Sequence, residues 1–179
     1  MDKRKLENER VKKSIQEGLF TLIKKKKFSE ITVTDIVQES GVARASYYRN
    51  FDSKENIIES YIARLHEEVG QKLNNSDDIN SLFTHENLVI SLEYYLKRKY
   101  YILQLYNNGF GTLIQEEINR YAEEALGDMP SHSIKRYELY FISGAMFNMI
   151  IQWLKTGAEE SPSQMADAFL EYLSKFIKN

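Results

Sequence analysis

The chain contains no cysteine. Disulfides, thiolate metal centres and cysteine nucleophiles are therefore excluded, and the composition fits a reducing compartment. Proline occurs only twice and glycine eight times in 179 residues. So few breakers argue against a turn-rich sandwich or a disordered chain and favour uninterrupted helices. Histidine is scarce too, and His66, His85 and His132 lack any His-x-x-x-His spacing that would hold a metal. Gly-rich phosphate loops and serine nucleophile motifs are missing, and Glu116-Glu117 and Glu123-Glu124 read as solvated helix faces. The expectation is a protein that is not an enzyme and uses neither cofactor nor metal. No apolar run is long enough to span a bilayer: Tyr140–Leu154 is short and interrupted by Ser143, Asn148 and Gln152. The opening MDKRKLENERVKK lacks the apolar core of a secretory signal. A soluble, cytoplasmic protein is expected, with no membrane partner.

What the chain does have is an uneven charge. Residues 1–54 hold 13 Lys or Arg against 8 Asp or Glu, a net +5, while the remainder holds 11 against 18, a net −7. A basic first third on an acidic body is the asymmetry of a protein with one end facing a polyanion. Much of it is the run Lys24–Lys27, which reads as support for a helix C-terminus through the macrodipole, a phosphate contact being the alternative.

Inside that basic third lies ITVTDIVQESGVARASYYRNFDSK, residues 31–54. Thr32-Val33-Thr34-Asp35 has the form of a capping box, so a helix opens at Val33. Val33, Ile36 and Val37 give it one apolar face. Gly41 can take the positive φ that ends this helix and sets a tight turn. A second helix follows from Ala43 to Asn50. Two short helices joined by a Gly turn predict a helix-turn-helix whose second helix enters a major groove. Arg44 and Arg49 carry the planar donor fork that pairs with guanine or phosphate. Ala45 and Ser46 are small enough to let the helix approach base edges. Tyr47, Tyr48 and Asn50 add polar tips, and Thr32, Thr34 and Lys54 flank the groove, Lys54 as a phosphate clamp. Phe51 reads as core.

These residues resemble the DNA-binding region of the TetR/AcrR family of bacterial transcriptional regulators. The shared pattern runs through Thr32, Ile36, Gly41, Val42, Ala45-Ser46, Tyr48, Phe51 and Lys54, and covers about residues 10–60. Ala43 stands where the family usually has a capping Ser or Thr, Ala45 replaces a frequent Gly, Asn50 a frequent His or Tyr, and Lys27 a frequent Gly. The resemblance implies that Tyr48 binds a phosphate, that Tyr47 occupies a usually apolar position, and that the body holds a ligand pocket.

The expected architecture is all-α, with about nine helices. A three-helix DNA-binding domain covers residues 1–53, and a helical ligand-sensing and dimerisation domain covers 54–179. Helix one runs from about Asn8 to Lys26 with Val11, Ile15, Leu19, Leu22 and Ile23 at helical spacing. A helix opening at Asp52-Ser53-Lys54-Glu55 connects reader to body and ends in the polar stretch Asn74–Asp78. The body continues as helices over Leu88–Lys99 and Tyr100–Asn108, a corner at Asn107–Gly111, and an amphipathic helix closed by Gly127–Pro130. A long, nearly all-apolar helix from Ser133 to Thr156 is capped by Gly157. Ser161-Pro162 opens the last helix, striped by Met165, Ala168, Phe169, Tyr172, Leu173, Phe176 and Ile177.

Aromatic residues crowd the body. Tyr95, Tyr101, Tyr106, Phe110, Tyr121, Tyr140, Met146 and Trp153 are the candidate lining of a pocket for a small apolar or amphipathic molecule. The last two helices are candidates for self-association through Phe141, Ala145, Asn148, Gln152, Met165, Phe169, Tyr172 and Leu173, two from each protomer making a four-helix interface. The favoured reading is a homodimeric, ligand-responsive repressor on a palindromic double-stranded DNA operator. One alternative is a DNA-binding regulator with no small-molecule effector, controlled by a protein partner. A third, from another class, is an enzyme or lipid-carrying body with an appended reader.

Overall fold

The structure is a computed structural model that describes residues 3–73, 83–125, 134 and 136–177. Every regular element among them is helical. In chain order these are α1 (Lys3–Ile23), a 3-10 turn (Phe28–Glu30), α2 (Val33–Ser40), α3 (Arg44–Asn50) and α4 (Lys54–Gly70). There follow α5 (His85–Lys97), α6 (Lys99–Leu105), a π turn (Tyr106–Phe110), α7 (Gly111–Ala125), α8 (Arg136–Lys155) and α9 (Pro162–Ile177). The expected breaks at Asn74–Asp78 and Gly127–Pro130, His132, the start at Ser133, and the side chains of Phe176 and Ile177 lie outside the described residues.

The chain divides into two compact units, Met1–Arg64 and Leu65–Asn179. The division falls inside α4, where the sequence pattern places it at the helix start. The reason is packing: Ile57, Ile58 and Ile62 are fully buried, and Tyr61 meets Phe20 of α1 edge-on with centroids 4.7 Å apart. The first turns of α4 thus belong to the core of the first unit. Ile15, Leu19, Phe20, Ile31, Ile36, Tyr47 and Phe51 complete that core. Each such side chain contributes about 1.5–3 kcal/mol on burial. Helices α1 and α2 cross at Gly18, where a Cβ would stand 2.9 Å from Ser40 Cβ and 3.0 Å from its backbone nitrogen. Only glycine permits that approach.

Local signals place several helix ends. Thr84 caps α5 by accepting from the Asn87 backbone N–H. Ser161 and Gln164 form a reciprocal box at α9, with bonds of 3.2 and 2.8 Å. Gly157 ends α8 at φ 113°. Gly109, at φ 89°, sits inside the π turn and makes the corner between α6 and α7. In the second unit α9 packs on α5 and α7 on α8. Glu68 gathers two donors there: the Tyr94 hydroxyl at 2.6 Å and Arg98 Nη2 at 2.9 Å. The Arg98 guanidinium also lies 3.5 Å from the Tyr94 ring centroid, which fixes the start of α6 against α4.

Candidate functional site

The turn between α2 and α3 is built as its residues dictate. The Thr32 hydroxyl accepts from the Asp35 N–H at 3.2 Å, and the Asp35 carboxylate accepts from the Thr32 N–H at 2.7 Å. Lys26 Nζ reaches the same carboxylate at 2.7 Å, and this bond, with those from Thr32, holds the Asp35 carboxyl well below the usual carboxylate range. Lys25 pairs with Glu39 at 3.2 Å. Two members of the lysine run are thus tied to α2 by specific ion pairs. Gly41 takes φ 67°, and its N–H donates to Gln38 O at 3.3 Å. Ala43 caps α3 with no side-chain bond.

On α3, each residue advances about 100° around the axis. Tyr47 points inward and is fully buried, so Ala45 and Arg49 point outward, where both are exposed. Arg44 and Tyr48 share one shoulder. Arg44 donates to the Thr34 hydroxyl at 3.1 Å and to the Tyr48 hydroxyl at 3.2 Å, with its guanidinium 5.5 Å from the Tyr48 ring centroid. Ser46 and Asn50 occupy the other shoulder, and Asn50 Nδ2 donates to Ser46 O at 2.8 Å. Arg49 makes no hydrogen bond or ion pair among the described residues.

Two expected contact residues are engaged within the first unit. Tyr47 is core: its ring packs on Tyr48 and Phe51, its hydroxyl has no partner, and burial pushes its pKa up to about 12. The Lys54 ammonium is bonded to backbone carbonyls of the preceding turn. Its Nζ donates to Phe28 O at 2.8 Å and Ile31 O at 2.9 Å, 4.5 Å from the Phe28 ring centroid. These bonds tie the 3-10 turn to the start of α4. Thr32 is similarly occupied by the capping box, though still exposed.

Sequence reasoning missed one feature of this face. Arg4, Lys5, Glu7, Asn8 and Val11 of α1 join Ser46, Arg49 and Asn50 of α3 in lining a groove of about 420 Å³. The signal was present in the cluster Lys3-Arg4-Lys5, within a basic third whose charge was assigned mainly to Lys24–Lys27.

The second unit holds a cavity of about 90 Å³ lined by His66, Val69, Leu73, Phe83, Ser91, Tyr95, Ile118, Tyr121, Ala122, Leu139, Ser143, Met146 and Ile150. Tyr95, Tyr121 and Met146 were expected there. Tyr101, Tyr106, Phe110, Tyr140 and Trp153 are not brought to it. Trp153 Nε1 donates to Glu160 O at 3.1 Å and closes the α8–α9 turn. The Tyr140 hydroxyl goes to the Glu123 carboxylate, Tyr106 packs on Phe147, and Tyr101 meets Tyr100 edge-on. His66 stacks on Tyr121 and meets Tyr95 edge-on. Its spacing with Val69 and Leu73 on one helical face was the readable clue. Desolvation raises the phenol pKa of both Tyr95 and Tyr121, so both hydroxyls keep their protons well above neutral pH.

Of the expected self-association residues, Phe141, Ala145, Asn148 and Gln152 line one exposed stripe of α8, and Tyr172 is exposed on α9. Met165 and Phe169 are buried within the protomer, where α9 packs on α5 and Phe169 meets Phe83 at 6.1 Å. Leu173 is half-buried.

A capped helix, a left-handed glycine turn and a short helix presenting arginine outward define a helix-turn-helix protein. Residues 17–61 match the profile of bacterial regulatory proteins of the tetR family, and residues 83–175 match a transcriptional regulator C-terminal region of the same family. The chain belongs to the TetR family, whose members are transcriptional regulators rather than enzymes. It is 22% identical over 176 residues to the uncharacterized HTH-type transcriptional regulator YxbF of Bacillus subtilis (strain 168), covering 92% of this chain. The chain spans only 44% of that relative's length. Among solved structures, a TetR transcriptional regulator from Streptococcus agalactiae 2603V superposes with a TM-score of 0.66 at 16% identity, over 94% of this chain and 96% of that one. The TetR family repressor AlkX from Dietzia sp. strain DQ12-45-1b, implicated in biodegradation of n-alkanes, gives 0.55 at 15% identity, over 93% and 95%. At these identities the likeness is one of fold. Among the described residues, no helix is long and apolar enough to cross a membrane.

Proposed function

We propose that this chain is a DNA-binding transcriptional regulator that acts as a homodimer on a palindromic operator and responds to a small molecule held in its second unit. The observation that carries the reading is the outward face of α3. Ala45 and Arg49 stand opposite the buried Tyr47, and Thr34, Arg44 and Tyr48 form a linked set beside them. Arg49, with no internal partner, is the base reader, bidentate to guanine in the major groove. Arg44 and Tyr48 hold each other in place and meet a phosphate strand, which fixes register rather than sequence.

Two further observations support the remaining parts. The exposed stripe Phe141, Ala145, Asn148 and Gln152, with Tyr172, offers a self-complementary surface of mixed apolar and amide character, suited to a two-fold interface. Dimerisation supplies the second reader that an operator with two half-sites requires. The cavity lining contains no Asp, Glu, Lys or Arg. An uncharged, mainly apolar effector therefore fits, one that accepts hydrogen bonds from Tyr95 and Tyr121, whose hydroxyls make none among the described residues. As it stands the cavity is smaller than the ~150 Å³ that holds benzene, so a compact ligand, or one that moves side chains on entry, is required.

The test is fluorescence anisotropy on a sequence selected from a random duplex library, at several salt concentrations. Arg49→Ala should cost about 1–3 kcal/mol and relax specificity at one position of each half-site. Unchanged affinity and specificity in that variant would sink the reading. A neutral effector should raise the melting temperature and weaken operator binding together. A ligand that stabilises the protein without touching operator affinity would refute the regulatory role of the cavity.

A further inference from the structure

A helix lying in a major groove has a phosphate strand on each side. The set Thr34, Arg44 and Tyr48 serves only one of them. On the other shoulder of α3, Ser46 and Asn50 face α1 across the groove of about 420 Å³. Its far wall carries Arg4, Lys5 and Asn8, and Arg49 stands at its edge. We infer that this groove is a second backbone site: α1 holds the sugar–phosphate strand opposite the one met by Arg44 and Tyr48, with Arg4 and Lys5 as the phosphate-binding cations.

Three features carry this. The first is position: Ser46 and Asn50 are one turn apart on α3, so the groove runs alongside the same outward face that bears Arg49. The second is charge. Three cations line the groove against a single carboxylate, Glu7, and that carboxylate lies 3.9 Å from Arg10 on the exposed side of α1. Lys5 and Arg49 make no ion pair among the described residues. The third is chemistry. Ser46 and Asn8 bring a hydroxyl and an amide to the same walls, the side chains that bond phosphate oxygens beside Arg and Lys. The cleft is open and lined mainly by charged and polar residues, Val11 apart, and suits a strand running through it. The inference rests on the proposed DNA binding and assigns it a second wall.

The test uses the full chain, a mixed-sequence duplex of about 30 base pairs and the selected operator, each titrated across salt. Arg4→Ala with Lys5→Ala should lower the salt slope by about 2 and weaken both duplexes alike, by about 10- to 50-fold near 0.15 M salt. Glu7→Gln should strengthen both a few-fold. Lys13→Ala is the control, because Lys13 lies about half a turn of azimuth from Arg4 on the same helix and pairs with Glu17 at 3.8 Å. It should leave the slope unchanged. Melting curves confirm that the variants fold, all of these positions being at the surface. An unchanged slope in the double variant overturns the second site while leaving the Arg49 result intact. A loss confined to the operator, with the slope unchanged, also overturns it, since that marks base reading. A wild-type chain that binds no duplex overturns both this site and the function it rests on.

Discussion

Lys54 sits at the opening of α4, beside the recognition helix, with a charge that invites assignment to a phosphate. The structure gives its ammonium to carbonyls instead: Phe28 O at 2.8 Å, Ile31 O at 2.9 Å and Ser29 O at 3.4 Å. Lys54→Met keeps the aliphatic stem and removes the donors. A hydrogen bond from a charged donor is worth about 1.5–3 kcal/mol, but Phe28 O retains the Ile31 N–H at 3.1 Å. Ile31 O therefore suffers most, and the half-exposed site lets water replace part of the loss. Adding the cation–π contact over Phe28 brings the expected cost to about 2 kcal/mol. For a chain of this size that is a drop of about 4–8 °C in melting temperature. Urea unfolding followed by circular dichroism measures the cost, and anisotropy at a temperature where the variant is folded measures the salt slope. The slope should equal that of the wild type. A stability change below about 0.5 kcal/mol, with a slope reduced by about 1, would refute the reasoning and return Lys54 to the DNA.

Tyr47→Phe removes a buried hydroxyl that has no partner, so it should stabilise the protein by about 1 kcal/mol and leave operator affinity unchanged. A destabilised variant, or weaker DNA binding, would show that the hydroxyl is engaged. The same group predicts an alkaline limb. Its pKa is about 10 when unfolded and about 12 when folded, so above pH 10 the unfolded chain sheds a proton that the folded chain keeps. Its contribution is whole below pH 10 and lost between 10 and 12; wild-type stability should fall in that window more steeply than that of Tyr47→Phe, as read by unfolding at each pH. Gly18→Ala gains up to about 1 kcal/mol of helix propensity but drives a Cβ to 2.9 Å from Ser40 Cβ, and the backbone nitrogen at 3.0 Å cannot swing aside. A net loss of about 1–2 kcal/mol is expected in urea unfolding, and a stabilised variant would contradict the close crossing of α1 and α2.

What was legible in the sequence was what depends on neighbours three or four residues apart. The Thr32–Asp35 box, the left-handed Gly41, the uncapped Ala43 and the Ser161-Pro162 start all appear where their local chemistry puts them. What was not legible depends on distance along the chain or on phase. Tyr47 and Tyr48 are the same amino acid side by side, and only the packing of α3 against α1 and α2 decides which turns inward. Lys54 finds acceptors 23 to 26 residues upstream. Met165 and Phe169 form a stripe that could have met a second copy, but α5 of the same chain takes it. The cavity was least legible. With twelve tyrosines and nine phenylalanines, composition announces aromatic surface everywhere, whereas a cavity forms where packing leaves a gap.

Helix α4 spans Lys54–Gly70, and the division between the two units falls within it. Its first turn is held by Ser53, whose hydroxyl accepts the Asn56 N–H at 3.0 Å, and by the Lys54 carbonyl bonds. Its last turns supply His66 and Val69 to the cavity wall and Gly70 to the Tyr121 hydroxyl, which would lie 2.8 Å from a Cβ at that glycine. The proposed effector, accepting a hydrogen bond from the Tyr121 hydroxyl, would engage the phenol that leaves no room for a side chain at Gly70. The proposed effector response needs a coupling of only about 1–3 kcal/mol, which changes operator affinity by 5- to 150-fold.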